Sequence, residues 1–273
     1  AAAALETGID TDYSYECKGY IEIGGIRFHC HNREGHGLMD MKSAMEQSCN
    51  PYFISLAQQT GGEVLLSMAK ALGLGEEIEL ADGMISAAGS LPAQEQLQNA
   101  GDVANFAFGQ GSFSATPLQM AAVYACIANG GVYHEPYLLL EQINNNGDSF
   151  AEFIPDAGVR VMSSETAATL QELLKSTVDQ GSGQAAKPAN GTAAGKTATA
   201  QSGVFEDGEE VLRTWFCGYF PAEKPQYTVV VMKEDGESPI VDCAPIFREI
   251  AEQLLPDNTE QTTLPEEEGT TAP

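Results

Sequence analysis

Gly195-Lys196-Thr197-Ala198-Thr199-Ala200-Gln201 is the stretch on which the reading of this chain turns. It follows a small-residue loop, Gly181 to Ala194, and precedes two further β-prone runs, Leu212 to Phe220 and Tyr227 to Met232. Thr, Val, Tyr and Phe dominate these runs, as suits a pleated, half-buried surface. Short connections favour antiparallel neighbours, because a parallel pair needs a crossover of about a dozen residues or more. The segment therefore predicts a three-stranded antiparallel unit whose first strand opens with a lysine and two hydroxyls. By the strand period Thr197 and Thr199 share one face, and Lys196 lies on the other unless the strand start is twisted. An ammonium beside two hydroxyl donors makes a carboxylate-binding edge, although a Lys-Thr pair at a strand start also serves plain solubility.

Upstream the period is helical. Residues 38–60 predict two consecutive helical pieces broken at Pro51, with Asp40 as the first cap and Met41, Ala44 and Met45 on its buried face. The second piece turns Phe53, Leu56 and Ala57 inward, and Val64, Leu65, Met68, Ala69 and Leu72 mark a third helix that stops near Gly73. Where the first two pieces meet, Gln47-Ser48-Cys49-Asn50-Pro51 presents a serine and an amide two residues apart. Residues 75–105 are polar, Gly-rich and poorly periodic, which predicts a long loop. Thr116-Pro117 opens a helix that ends at Asn129-Gly130-Gly131, Tyr137 to Ile143 reads as a strand, and Ser163 or Ser164 caps a helix running to Val178. Ala244 to Leu255 is a closing helix. No internal repeat is evident, and the whole reads as one α/β domain over residues 1–255, followed by a Glu/Thr/Pro-rich disordered tail over 256–273.

The composition sets limits. With 43% hydrophobic residues in 273, the chain can bury a sizeable core. Its 13 basic against 39 acidic residues give a formal charge of −26, which repels nucleic-acid backbone and anionic lipid, so no nucleic-acid partner is expected. No apolar run of about 18 residues is present to span a membrane. Six cysteines are too few for a disulfide scaffold. Cys17, His29, Cys30, His31 and His36 are zinc-ligand types, but on a strand Cys30 points away from its two histidine neighbours. No metal site is expected on that spacing. A hairpin about Ile23-Gly24-Gly25 explains more: it could set Cys17 opposite Cys30, as a cross-strand disulfide or a close thiol pair, while unpaired packed cysteines are the plain alternative.

The order of motifs carries a resemblance. Ser48-Cys49-Asn50 comes first, then Gly109-Gln110-Gly111, Thr116-Pro117-Leu118-Gln119-Met120-Ala121 and Ile127-Ala128-Asn129-Gly130-Gly131, then Lys196-Thr197-Ala198-Thr199-Ala200-Gln201. This resembles the transpeptidase domain of monofunctional, class B penicillin-binding proteins of Gram-positive type, from Ala1 to about Leu255. The resemblance implies a serine β-lactamase/penicillin-binding-protein fold, with a central antiparallel sheet flanked by helices. It implies serine acyl transfer that crosslinks peptidoglycan stem peptides, acylation by β-lactams, no cofactor, and an extracytoplasmic location behind a membrane anchor. A disulfide between Cys17 and Cys30 would be permitted there. Wall-synthesis proteins are implied as further partners.

By the same resemblance Ser48 relays a proton at the leaving or entering amine, and Asn50 hydrogen-bonds the bound peptide. Lys196 supplies positive potential and supports Ser48, Thr197 and Thr199 hold the substrate carboxylate, and the Thr199 N–H gives half of an oxyanion hole. Two departures stand out. Ala198 occupies a place where the family has glycine, and its methyl narrows the groove. The family's Ser-x-x-Lys does not precede Ser48. The chain opens inside the continuation of the helix that the family starts with that motif, so the nucleophile, its base and the first sheet strands are expected upstream of Ala1. This chain alone is expected not to be acylated. The one such string, Ser67 with Lys70, falls after Ser48 and reads as ordinary surface. A non-catalytic scaffold or a D,D-carboxypeptidase of the same fold are the alternatives.

Overall fold

The computed structural model describes residues 1–152, 154 and 157–256. The expected tail therefore lies outside the described residues, apart from Pro256. The sheet is the three-stranded antiparallel unit read from the sequence. β11 (Ala194–Glu206) pairs with β12 (Glu209–Phe220), which pairs with β13 (Tyr227–Lys233), in the order β11-β12-β13. The strands run longer than predicted, because β11 and β12 continue into an exposed hairpin beyond Gln201. On one face α9 (Ala244–Leu254) buries Phe247 against Phe216 and Phe220, with α8 (Pro239–Asp242) leading into it.

The larger cluster lies on the other side. α6 (Pro117–Ala128) and α7 (Ser164–Gln180) pack Val123, Tyr124, Ile127, Leu170, Leu173 and Leu174 around Tyr219. α1 (Ala2–Glu6), α2 (Met41–Glu46), α3 (Asn50–Thr60) and α4 (Gly62–Ala71) add Ala4, Met41, Tyr52 and Leu56. Each helix start matches a local signal. Asp40 and Ser43 form a capping box on α2, Thr116 and Gln119 form one on α6, and Ser163 rather than Ser164 caps α7.

In front of these helices lies a thin β layer. β1 (Tyr15–Cys17) pairs with β4 (Gly37–Met39), and β2 (Tyr20–Ile23) pairs with β3 (Ile26–His29). The Gly24-Gly25 turn exists as read, with both residues at positive φ, as a two-residue hairpin of the primed kind requires. Its arms differ from the expectation: β2 and not β1 answers β3, so Cys17 faces Gly37 across β1–β4 rather than Cys30. A two-residue turn fixes the register at once, which leaves no slack for the longer hairpin.

Three other expectations are corrected. The break between α2 and α3 falls at residues 47–49, not at Pro51, which sits in the first turn of α3 where its missing N–H costs nothing. The segment 75–105 is not one loop. It holds the small hairpin β5 (Glu79–Ala81) and β6 (Met84–Ile85), then α5 (Ala100–Ala107), which Asn99 caps through the Gly101 N–H. Only Glu141–Ile143 of the predicted Tyr137 strand is regular. It forms β8, pairing with β9 (Ser149–Glu152), while β7 (Val132–Tyr133) pairs with β10 (Val159–Arg160). Among the described residues no helix is long and apolar enough to cross a membrane.

Candidate active site

The site is assembled where the α2–α3 turn meets the start of β11. After Glu46 the chain closes α2 with a paired cap: the Cys49 N–H reaches the Ala44 carbonyl at 2.9 Å, and the Ser48 N–H reaches that of Met45 at 3.3 Å. That is the Schellman arrangement, and it puts Ser48 at the left-handed position usually taken by glycine. Ser48 indeed has φ +52°, a strain on the order of 1 kcal/mol for a residue with a Cβ. A serine kept there is a pointer to function, since such outliers gather at working sites.

The strain aims the Ser48 hydroxyl at the sheet. Lys196 Nζ donates to Ser48 Oγ at 2.9 Å, to the Thr197 carbonyl at 2.8 Å and to Thr197 Oγ1 at 3.3 Å. These use all three ammonium protons, so Ser48 is the acceptor and its own proton stays available to a ligand. Burial strips water from the lysine and pushes its pKa down to about 8. Thr197 is buried and donates to Ser182 Oγ at 3.2 Å. Ser182 is fixed in turn, its N–H donating to the Glu46 carbonyl at 2.8 Å.

Lys196 and Thr197 thus meet although strand alternation separates them. The lysine is long enough to fold back over the strand edge, which a count of strand faces ignores. Ala198 and Thr199 are exposed on β11 opposite Trp215 and Thr214, and among the described residues β12 is the only strand paired with β11. Asn50 is the first residue of α3, half-buried and two positions from Ser48. Ser67 and Lys70 are both exposed on α4. Ser182 was not singled out from sequence. Its only signal is Gly181-Ser182-Gly183, one polar side chain in a glycine-flanked turn.

Beside Ser48 lies a second cluster. The Cys17, Cys30 and Cys49 sulfurs and one His36 ring nitrogen all lie within 4.8 Å of one another. The three cysteines are buried and none is in a disulfide, so the pair Cys17 and Cys30 appears here as free thiols in a group of four. Cys30 Sγ is 3.5 Å from His36 Nδ1 and 3.9 Å from His31 Nδ1. The adjacent Cys49 thiol, the Asn32 backbone and the nearby His36 and His31 hold the Cys30 thiol below its ordinary range, while the same pairing and burial push Cys49 up.

This sheet, its flanking helices and the serine–lysine arrangement have the fold of the penicillin-binding protein transpeptidase domain. The sequence profile of the penicillin binding protein transpeptidase domain matches residues 1–252, and the chain belongs to that family. Stage V sporulation protein D of Bacillus subtilis (strain 168) is 32% identical over 267 residues, covering 94% of this chain and 40% of that protein. The D,D-transpeptidase domain of a peptidoglycan glycosyltransferase from Eggerthella lenta superposes with a TM-score of 0.81 at 29% identity, over 93% of this chain and 62% of that one. Penicillin-binding protein 3 of Mycobacterium tuberculosis, in complex with aztreonam, gives 0.80 at 30% identity, over 93% and 59%. The chain spans about two-fifths of the length of the sporulation relative.

Proposed function

We propose that this chain forms part of the active site of a peptidoglycan D,D-transpeptidase that β-lactams acylate, and that it works on the outer face of the cytoplasmic membrane. The observation that carries the reading is the 2.9 Å hydrogen bond from a desolvated Lys196 to the hydroxyl of the strained Ser48. In acyl transfer to an amine, a proton must reach the departing D-alanine and leave the entering amine. A hydroxyl that accepts from a fixed cation and retains its own proton is suited to pass one along. Asn50, two residues further on, holds the peptide amide.

The edge of β11 that no strand covers among the described residues offers backbone N–H and carbonyl groups to an extended peptide, in the manner of strand addition. Thr199 presents its hydroxyl to the substrate carboxylate and its N–H to the developing oxyanion, while Thr197 and Ser182 keep Lys196 in place. Removing one oxyanion donor typically costs about 3 kcal/mol. The covalent step needs a serine and a base, and the Ser67–Lys70 pair cannot serve because it points to solvent on α4. These residues therefore bind, orient and move protons; they do not form the ester. In this reading residues 1–255 act as the C-terminal part of one transpeptidase domain.

Labelling with a fluorescent penicillin tests the reading. Full-length protein should label covalently, with labelling slowed on the order of a hundredfold or more by Ser48→Gly or Lys196→Met. The 273-residue chain alone should not label. Equal labelling of wild type and both variants would reject the assignment. The names of the matched relatives favour transpeptidation over the carboxypeptidase and scaffold alternatives, and release of free D-alanine without crosslinked product would reverse that preference.

A further inference from the structure

We propose that Cys17, Cys30, His36 and Cys49 form a structural zinc site that ties the turn carrying Ser48 and Asn50 to the β layer in front of the helices. This inference does not depend on the catalytic roles assigned above. Four chain segments supply the four ligands: the end of β1, the residue after β3, the loop before β4, and the junction of α2 and α3. Their ligand atoms lie within 4.8 Å of one another, and the Cys30–His36 pair is at 3.5 Å. A tetrahedral zinc with bonds of about 2.3 Å to sulfur and 2.0–2.1 Å to nitrogen has edges of roughly 3.5–3.8 Å. Small side-chain rotations close that gap. Three cysteines and one histidine fill every position of a tetrahedron, which is the closed set of a structural zinc site.

The backbone is shaped for such a centre. The Cys30 N–H donates to the Gly19 carbonyl at 2.9 Å, which draws Cys30 towards Cys17. A Cβ on Gly19 would lie 2.0 Å from the Arg33 carbonyl oxygen, and one on Gly35 would lie 2.2 Å from that of Cys17. Only glycines let these two loops cross so closely, and the crossing delivers His36 beside Cys17. The Asn32 side chain holds the loop by donating to the Gly35 carbonyl at 2.9 Å.

Other accounts explain less. A disulfide would use two of the three cysteines and leave a buried thiol beside an imidazole with no role for either. Apolar packing explains buried cysteines but not a histidine turned among them. Binding is balanced by loss of three thiol protons: three thiolates and a neutral imidazole around Zn²⁺ leave one net negative charge. No redox change is involved. Cys49 separates Ser48 from Asn50, so holding its sulfur fixes the positions of both.

The test is metal analysis of the full-length protein purified under mild reduction with zinc in the medium. One tightly held zinc per chain is expected. Replacement by Co²⁺ should give the intense visible bands of a tetrahedral thiolate site. Cys17→Ser, Cys30→Ser, Cys49→Ser and His36→Ala should each lose most of the metal, while Cys126→Ser and His31→Ala keep it. Should the ligand variants fail to fold, wild type is treated with a strong chelator. Removal of zinc should then expose three thiols to a thiol reagent, raise amide exchange at residues 17–19 and 48–50 but not in β12, and reverse on zinc return. A metal content below a tenth of an equivalent after zinc supplementation, or a disulfide mapped between any two of the three cysteines in freshly purified protein, would overturn the proposal.

Discussion

Ser48 holds two burdens at once, a backbone conformation that suits glycine and a hydroxyl that suits the site. The two separate by mutation. Ser48→Gly removes the hydroxyl and relaxes the positive φ, so thermal stability should stay the same or rise by up to about 1 kcal/mol, while acylation falls. A drop in stability would show that the Lys196 hydrogen bond outweighs the strain. Lys196 gives a second expectation. Its pKa in the fold, about 8, is below that of the free side chain, so the folded protein binds this proton less tightly than the unfolded chain. The cost of burying the charge is fully present below about pH 8 and is relieved as pH rises towards the free-lysine value. Lys196→Met should therefore stabilise the protein at about pH 7 and do so less at about pH 10, measured by urea unfolding at both. If the charged lysine supports Ser48, acylation should decline above about pH 8 in wild type, and Lys196→Arg should remove that limb. At Ala198, exposed on the open edge of β11, the change to glycine should widen the groove and speed acylation several-fold at a stability cost of about 0.5–1 kcal/mol. A slower Ala198→Gly would mean that the methyl touches the ligand favourably.

At the scale of elements, α6 shows how a single side chain organises a long loop. Gln119 is almost fully buried, accepts from the Thr116 N–H at 3.0 Å, and sends its amide to the carbonyls of Gly73, Glu76 and Ala88. Gln119→Leu fits the space but strands those groups, and should lower stability by roughly 1–3 kcal/mol in thermal or urea unfolding. A neutral result would mean that water replaces the amide. The same element shows what was readable beforehand. Thr116 and Pro117 announce the helix, because a cap and a first-turn proline act locally, but the carbonyls that Gln119 serves lie 31 to 46 residues earlier in the chain. α5 carries no sequence pattern for a related reason: it spans Ala100–Ala107, contains Gly101, and buries only Val103 and Ala104. Two inward residues make no period. At the junction before Asn50, Pro51 reads as a helix breaker from sequence alone, yet in a first turn proline helps to start a helix.

Across the whole molecule, the three C-terminal strands and the order of Ser48, Thr116 and Lys196 were legible in the sequence, since each motif is contiguous. The site they build was legible only in part. Ser182 enters through a loop that lies 15 residues before Thr197 and carries no pattern. Local spacing along the chain groups Cys17, His29, Cys30, His31 and His36 and leaves out Cys49, which the fold of α2 onto α3 brings beside Cys17, Cys30 and His36. The net charge of −26 is a property of the whole chain too. Self-repulsion at that level should make the fold gain stability with added salt, so the melting temperature should rise between low ionic strength and about 0.15 M, where the screening length is about 8 Å. A falling melting temperature would mean that attractive pairs such as Lys233–Asp242 and Lys187–Asp179 dominate.

The central claim is that the hydroxyl of Ser48, held by Lys196, acts in acyl transfer and is not simply a helix cap. The second-order rate of acylation by a fluorescent penicillin, measured on full-length wild type and Ser48→Gly beside their melting curves, tests it most directly. In Ser48→Gly the rate should fall on the order of a hundredfold or more with an unchanged or higher melting temperature. A rate within a factor of about two of wild type would contradict it.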